Sequence, residues 1–172
     1  MVSGGFFLPN SDLVVFSDTC CNETLRNFMI PVKIKVRDGA MTPEYKSSGS
    51  AGADICAFLE DVLVIGKGET ALVPTGLFLE IPPGYEAQIR PRSGLALTHG
   101  ITLLNTPGTI DSDYRGEIRV IMANLGKEPF TVENGMRIAQ MVFSKVYAAH
   151  FLPVDILTET IRNDGGFGHT GL

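Results

Sequence analysis

No apolar run in this sequence is long enough to cross a bilayer, so a membrane-spanning helix is not its organising element. The stretch 1–16 is moderately apolar but has no basic n-region and no convincing cleavage site, so it does not read as a secretory leader. Charge is scarce. Only 19% of the 172 residues are Asp, Glu, Lys or Arg, where about a quarter is usual. The balance is acidic, 14 basic against 19 acidic side chains, for a net charge of −5. Such a surface argues against binding along a nucleic-acid backbone, which needs a dominant basic face. A single nucleotide is still admissible, because a few arginines in a cleft suffice. Cysteines are few: Cys20, Cys21 and Cys56. An adjacent pair without CxxC spacing is neither a disulfide framework nor a zinc pattern, and a reducing cytoplasm is the expected location. The Asn22-Glu23-Thr24 sequon has no use there. A P-loop is missing too, since Gly66-Lys67-Gly68 is too short to serve as one.

Apolar residues are plentiful instead, at 44% of the chain with a mean hydropathy of +0.17. One domain of 18.6 kDa struggles to hide that much apolar surface, so part of it is expected between subunits. Strand-like alternation begins at Met29, with Ile30, Val32, Ile34 and Val36 on one side and Pro31, Lys33, Lys35 and Arg37 on the other. Residues 1–28 lack such a period and read as a loosely attached extension, with Met29 a candidate functional start. An extra strand around 13–16 is the competing reading. From there, short apolar runs recur at 62–65, 71–74, 77–81, 85–90, 101–104, 117–123, 130–132 and 138–146. Nineteen glycines and ten prolines break up helical windows, and Pro82-Pro83-Gly84 is a turn by its own chemistry. Many short strands at this spacing predict an all-β sandwich, barrel or jelly roll. The one helix candidate is short, over 94–99. There is no internal repeat and no second domain.

Five polar or glycine-rich segments stand out against this background, each with a plain reading beside a functional one. In Ser50-Ala51-Gly52-Ala53-Asp54-Ile55-Cys56-Ala57, small residues permit close backbone approach, and an acid among them is costly to bury without a partner. The segment also reads as a tight strand entry with a solvated Asp54. In Arg90-Pro91-Arg92-Ser93-Gly94-Leu95-Ala96, a helix start turns free N–H groups outward beside an arginine able to grip phosphate, or else is an ordinary cap. The segment 105–117 holds Asp111, Asp113, Tyr114 and Arg115 between apolar strands, which places it in a hairpin or a connection at a sheet end. A carboxylate at such a mouth can take a proton from water, and a tyrosine face can pack on a sugar. A decorated turn is the alternative. In Arg137-Ile138-Ala139-Gln140-Met141-Val142-Phe143, Gln140 interrupts a core strand and must find a partner in the protein or a ligand. The tail, Arg162-Asn163-Asp164-Gly165-Gly166-Phe167-Gly168-His169-Thr170-Gly171-Leu172, is too rich in glycine to hold one conformation cheaply. It reads either as a frayed end or as a lid that orders over a ligand.

Taken together and in this order, the five segments resemble the five motifs of the trimeric dUTPase family. Pro91-Arg92-Ser93-Gly94, Ile110-Asp111-Ser112-Asp113-Tyr114-Arg115-Gly116 and Gly165-Gly166-Phe167-Gly168 are the specific ones, and the resemblance runs from Met29 to Leu172. It implies a distorted jelly-roll, or β-clip, barrel of short strands with one short helix. The domain would occupy 29–160, with a Gly-rich lid over 161–172. It also implies hydrolysis of dUTP to dUMP and pyrophosphate, which keeps dUTP low and supplies dUMP for dTMP synthesis. Asp111 would be the base that activates water, and Tyr114 would lie under the deoxyribose. Asn105 and the backbone of Gly108, Thr109 and Ile110 would read uracil. Arg92, Ser93, Gly94 and Gln140 would hold the phosphates, with Arg119 a further substrate contact. Arg162, His169 and Thr170 would close on the γ-phosphate while Phe167 stacks on the base, with Gly168 a further substrate contact.

One Mg²⁺ is implied, held mainly by triphosphate and water, with no direct protein ligand and Asp54 reaching it through water. A homotrimer with three shared sites is implied as well, and no nucleic-acid or membrane partner. The chain departs from the family at His169, where serine is usual, so an imidazole replaces a hydroxyl there. The related dCTP deaminase and a non-catalytic nucleotide-binding jelly roll are the rivals. The first is disfavoured by Asp113-Tyr114 and the Gly-Gly-Phe-Gly tail, the second by an intact Asp111.

Overall fold

The computed structural model of the chain describes residues 29–166. The extension 1–28 and tail residues 167–172 lie outside them, along with the expectations placed there. Ten strands and one short helix follow in order: β1 (Lys33–Val36), β2 (Ala53–Cys56), β3 (Leu63–Ile65), β4 (Thr70–Glu80), β5 (Tyr85–Arg90), α1 (Ser93–His99), β6 (Ile101–Leu103), β7 (Gly108–Ile110), β8 (Ile118–Asn124), β9 (Phe130–Val132) and β10 (Arg137–Lys145). The expected all-β fold with one short helix is therefore present. No helix among the described residues is long and apolar enough to cross a membrane.

The strands form two four-stranded sheets, β1-β4-β8-β6 and β2-β10-β5-β7, and a small pair β3-β9. Alternation supplies the inward faces, because successive side chains on a strand point to opposite sides. Val73, Leu77 and Leu79 of β4 and Val120 and Met122 of β8 join Ile55, Ile89, Ile138 and Met141 of the other sheet in one buried cluster. Each such side chain contributes about 1.5–3 kcal/mol on burial. The apolar runs 71–74 and 77–81 are one strand, β4, whose register against β8 shifts between Pro74 and Leu77. Pro74 and Gly76 mark a bulge there and not a break.

Two strands arise outside the apolar runs of the sequence, one in a segment readable as a strand entry and one where a hairpin or connection was expected. The small residues of 53–56 form β2, which pairs with β10. Residues 108–110 form β7, which pairs with β5 in the second sheet, whereas the preceding β6 pairs with β8 in the first. The chemistry-bearing segment thus crosses between sheets and is more than a hairpin tip. Helix α1 begins one residue earlier than expected and ends at Gly100, whose φ of 68° is left-handed and whose N–H returns to the Ala96 carbonyl. That closure favours glycine.

Candidate active site

The register of the second sheet sets Asp54, Gln140 and Arg90 in one row across β2, β10 and β5. Paired residues of an antiparallel ladder share a face, and here it is the face turned away from buried Ala139 and Met141. Gly52 makes the row possible on one side: a Cβ there would lie 2.7 Å from Gln140 Oε1. On the other side, Gln140 Nε2 donates to the Pro91 carbonyl at 3.0 Å. The glutamine flagged in the sequence therefore has a protein partner, and it still borders an open cleft of about 280 Å³ shared with Lys46, Ser50, Asp54 and Arg90.

Asp54 is not a solvated carboxylate. Its side chain is 14% exposed, with Arg92 Nε 3.1 Å from Oδ1 and Arg137 Nη1 2.9 Å from Oδ2. Arg92 Nη1 also donates to the Arg137 carbonyl at 3.1 Å. Two guanidinium groups around one carboxylate leave a net positive charge in an acidic chain, which suits an anion. Arg137 was not among the residues singled out in the sequence. The neighbouring Cys56 thiol is pushed above its usual pKa by burial and then by the Asp54 charge, against the opposing pull of Arg137, Lys46 and Arg92. Ser93 and Gly94 open α1 and are exposed, and Arg92 occupies the cap position without a side-chain cap bond. The Ser93 hydroxyl is thus not the capping group that an ordinary helix start would use.

A second group gathers around β7 and the turn that follows it. Asn105, Thr109, Ile110, Asp111, Tyr114 and Arg119 line a cleft of about 250 Å³ backed by Leu72, Ile118 and Ile121. Gly108 is buried, and a Cβ on it would sit 3.2 Å from Asn105 Nδ2. The turn is closed by Tyr114 N–H donating to the Asp111 carbonyl at 3.2 Å. Arg115 Nη1 donates to the Ser112 and Tyr114 carbonyls at 2.7 and 3.0 Å. Asp111 itself is exposed at the cleft. Glu117 is a second residue the sequence did not single out. Its side chain is 15% exposed, accepts the Gly76 N–H at 2.9 Å and lies 3.6 Å from Arg37.

Within one chain the two groups border separate clefts. β2 and β7 are the opposite edges of the second sheet, three strand spacings or about 14 Å apart. Arg162 is exposed, with its Nε donating to the Gly165 carbonyl at 2.7 Å, and it lines neither cleft. Phe167, Gly168, His169 and Thr170 lie outside the described residues. Among the described residues no three His, Cys, Asp or Glu side chains converge as a metal cage.

Comparisons with known proteins agree with one another. A family model described as dUTPase matches residues 38–171. The deoxyuridine 5'-triphosphate nucleotidohydrolase of Caldanaerobacter subterraneus is 56% identical over 146 residues, covering 83% of this chain and 99% of that one. The enzyme of the same name from Chlamydia pneumoniae is 58% identical over 134 residues, covering 77% and 92%. Among solved structures, the dUTPase of Staphylococcus bacteriophage 80alpha with dUpNHpp superposes with a TM-score of 0.76 at 22% identity, over 84% of this chain and all of that one. A dUTPase of phage phi11 of S. aureus, in which a structural Mg(II) ion is coordinated, gives 0.67 at 19% identity over 74% and 98%. At those identities the two structures speak for the fold.

Proposed function

The chain belongs to the dUTPase family and hydrolyses dUTP, and on that premise we propose that Asp111 is the base that activates the attacking water. The carrying observation is the cleft that collects Asn105, Thr109, Ile110, Asp111 and Tyr114 on one wall. Water attacks the α-phosphorus in line, Asp111 accepts its proton, and pyrophosphate leaves to give dUMP. Tyr114 packs under the deoxyribose and leaves no room for a 2'-hydroxyl. Asn105 and the backbone of 108–110 pair with uracil, and cytosine would leave those groups unmatched, which disfavours dCTP strongly. Arg92, Ser93, Gly94 and Gln140 hold the phosphates, and Arg119 contributes from the cleft wall.

The family uses Mg²⁺, and an ion arriving with the triphosphate would meet Asp54, which lines the cleft beside Gln140 and Arg90. Each Asp54 oxygen accepts one arginine bond and keeps acceptor capacity for water, so Asp54 would reach the ion through water. Bound Mg²⁺ supplies neutralisation of the polyphosphate charge. The protein's own share is to orient the phosphates with Arg92 and Gln140 and to take the proton at Asp111.

The catalytic unit is a homotrimer with sites shared between chains. Two observations support that reading: the separation of the two clefts within one chain, and a C-terminal arm whose apolar side chains find no cover among the described residues. Tyr147 is 89% exposed, Phe151 86% and Ile156 85%. The end of that arm, 161–172, is the lid, with Phe167 stacking on uracil, Arg162, His169 and Thr170 closing on the γ-phosphate and Gly168 a further substrate contact. Closure excludes water and strengthens the electrostatic contacts inside.

Pyrophosphate release with Mg²⁺ present, from dUTP, dCTP, dTTP and UTP, tests the reading. The wild-type chain turns over dUTP selectively, and Asp111→Asn lowers kcat by about a hundredfold or more while dUTP still binds. Full turnover by Asp111→Asn would remove Asp111 from the base role, and equal turnover of all four nucleotides would remove the uracil-reading assignment.

A further inference from the structure

The ring of Tyr114 is seated by what its neighbour lacks. It folds back over Gly116, where a Cβ would lie 2.5 Å from the ring Cζ, 2.9 Å from Cε2 and closer still to the hydroxyl oxygen. At that end the hydroxyl donates to the Glu117 carbonyl at 3.0 Å. The backbone it is tied to is itself pinned, since Glu117 Oε1 accepts the Gly76 N–H and Thr75 Oγ1 donates to the Ile118 carbonyl at 2.6 Å. Tyr114 lines the cleft and is 41% exposed as a whole residue. Gly116 is not among the described glycines with positive φ, so its backbone admits an ordinary L-residue. Its missing side chain therefore serves the ring, not the backbone.

We propose that Gly116 is a positioning residue for sugar discrimination: it leaves the gap that lets the Tyr114 ring lie back against residues 116–117, and this sets the floor of the nucleoside cleft. The inference rests on the reading that Tyr114 packs under the deoxyribose. A methyl group at 116 pushes the ring off its seat, because the hydroxyl end of a tyrosine moves more cheaply than a pinned backbone. The displaced ring then meets the sugar at the wrong height. Mismatches of about one methylene in a fitted site are worth about tenfold or more in discrimination.

The test measures kcat and KM for dUTP and UTP on the full chain and on Gly116→Ala, Tyr114→Ala and Tyr114→Phe, with thermal unfolding of each. Gly116→Ala is expected to unfold near the wild-type temperature while the ratio of kcat/KM for dUTP over UTP falls about tenfold or more. KM for dUTP should rise more than kcat falls. Tyr114→Ala should lower the ratio at least as far, and Tyr114→Phe, which loses only the tether to Glu117, by less. A wild-type ratio in Gly116→Ala beside a lowered one in Tyr114→Ala overturns the role of Gly116 alone. An unchanged ratio in Tyr114→Ala overturns the underlying sugar contact. Should Gly116→Ala not fold, the double variant Gly116→Ala with Tyr114→Ala decides: failure to fold there too means the missing side chain serves the backbone and not the ring, which overturns the proposal.

Discussion

Asp54 carries one negative charge between two guanidinium groups, and the second of them, Arg137, is also the one the sequence did not announce. In the sequence Arg137 merely heads an apolar strand. Only the register shift between Arg137 and Ala139, where β10 pairs with β2, swings it toward Asp54, and such an irregularity has no local signature. Replacing it by glutamine removes one positive charge and one charge-assisted bond while Arg92 keeps its contact with the Asp54 carboxylate. For Arg137→Gln the expected outcome is a KM for dUTP raised about tenfold, since bonds to charged groups are worth about 1.5–3 kcal/mol. Affinity for dUMP, which carries a single phosphate, should change less. Steady-state kinetics with a dUMP inhibition series checks this, and equal losses for both nucleotides would argue against a polyphosphate role. Asp111 and Tyr114, by contrast, stood out because polar side chains crowd between two apolar strands, whereas Asn105 came only from the family resemblance; one cleft is lined by all three. Gly116 was legible as part of a motif, but its work beneath the ring needed coordinates.

At the scale of elements, β4 is the case where alternation and geometry parted. Pro74 and Gly76 interrupt its period, so the sequence reads two runs where the chain makes one strand with a bulge. The bulge is held by Thr75, which is 1% exposed, donates through Oγ1 to the Ile118 carbonyl at 2.6 Å and accepts the Leu77 N–H at 3.3 Å. Thr75→Val keeps the shape and strands both backbone groups, each costing about 1–3 kcal/mol. The expected result is a loss of about 2 kcal/mol or more, read as a lower urea midpoint at unchanged slope and fixed protein concentration. A change below about 0.5 kcal/mol would mean that the bulge holds without the hydroxyl. β2 and β7 were absent from the apolar runs for a related reason. They have four and three residues, too few for a period to register, and their pairing is decided by strands far away in the chain.

At the scale of the whole molecule, the apolar excess in the composition was a weak pointer to assembly, and the exposed arm is where a partner chain would cover it. Tyr147, Phe151, Leu152, Val154, Ile156, Leu157 and Ile161 are all strongly exposed in a segment without regular structure. Covering any one of them in a partner groove is worth about 1.5–3 kcal/mol. Whether one chain or several complete a site was never readable from sequence, because a single chain lists every motif whether or not it brings them together. The two clefts allow a direct decision through mixed assemblies. On the proposed assignments Asp111→Asn should disable the nucleoside half and Gln140→Ala the phosphate half, so each homogeneous protein should turn over dUTP poorly. In a closed symmetric trimer whose sites join halves from different chains, co-refolding equal amounts gives about a quarter of the sites two intact halves. Turnover should then recover to about a quarter of the wild-type rate, with a light-scattering mass of three chains. If each site lay within one chain, every site in the mixture would keep one lesion, and no recovery would appear at any mixing ratio. Recovery combined with a mass of two chains would instead retain the shared site and discard the trimer.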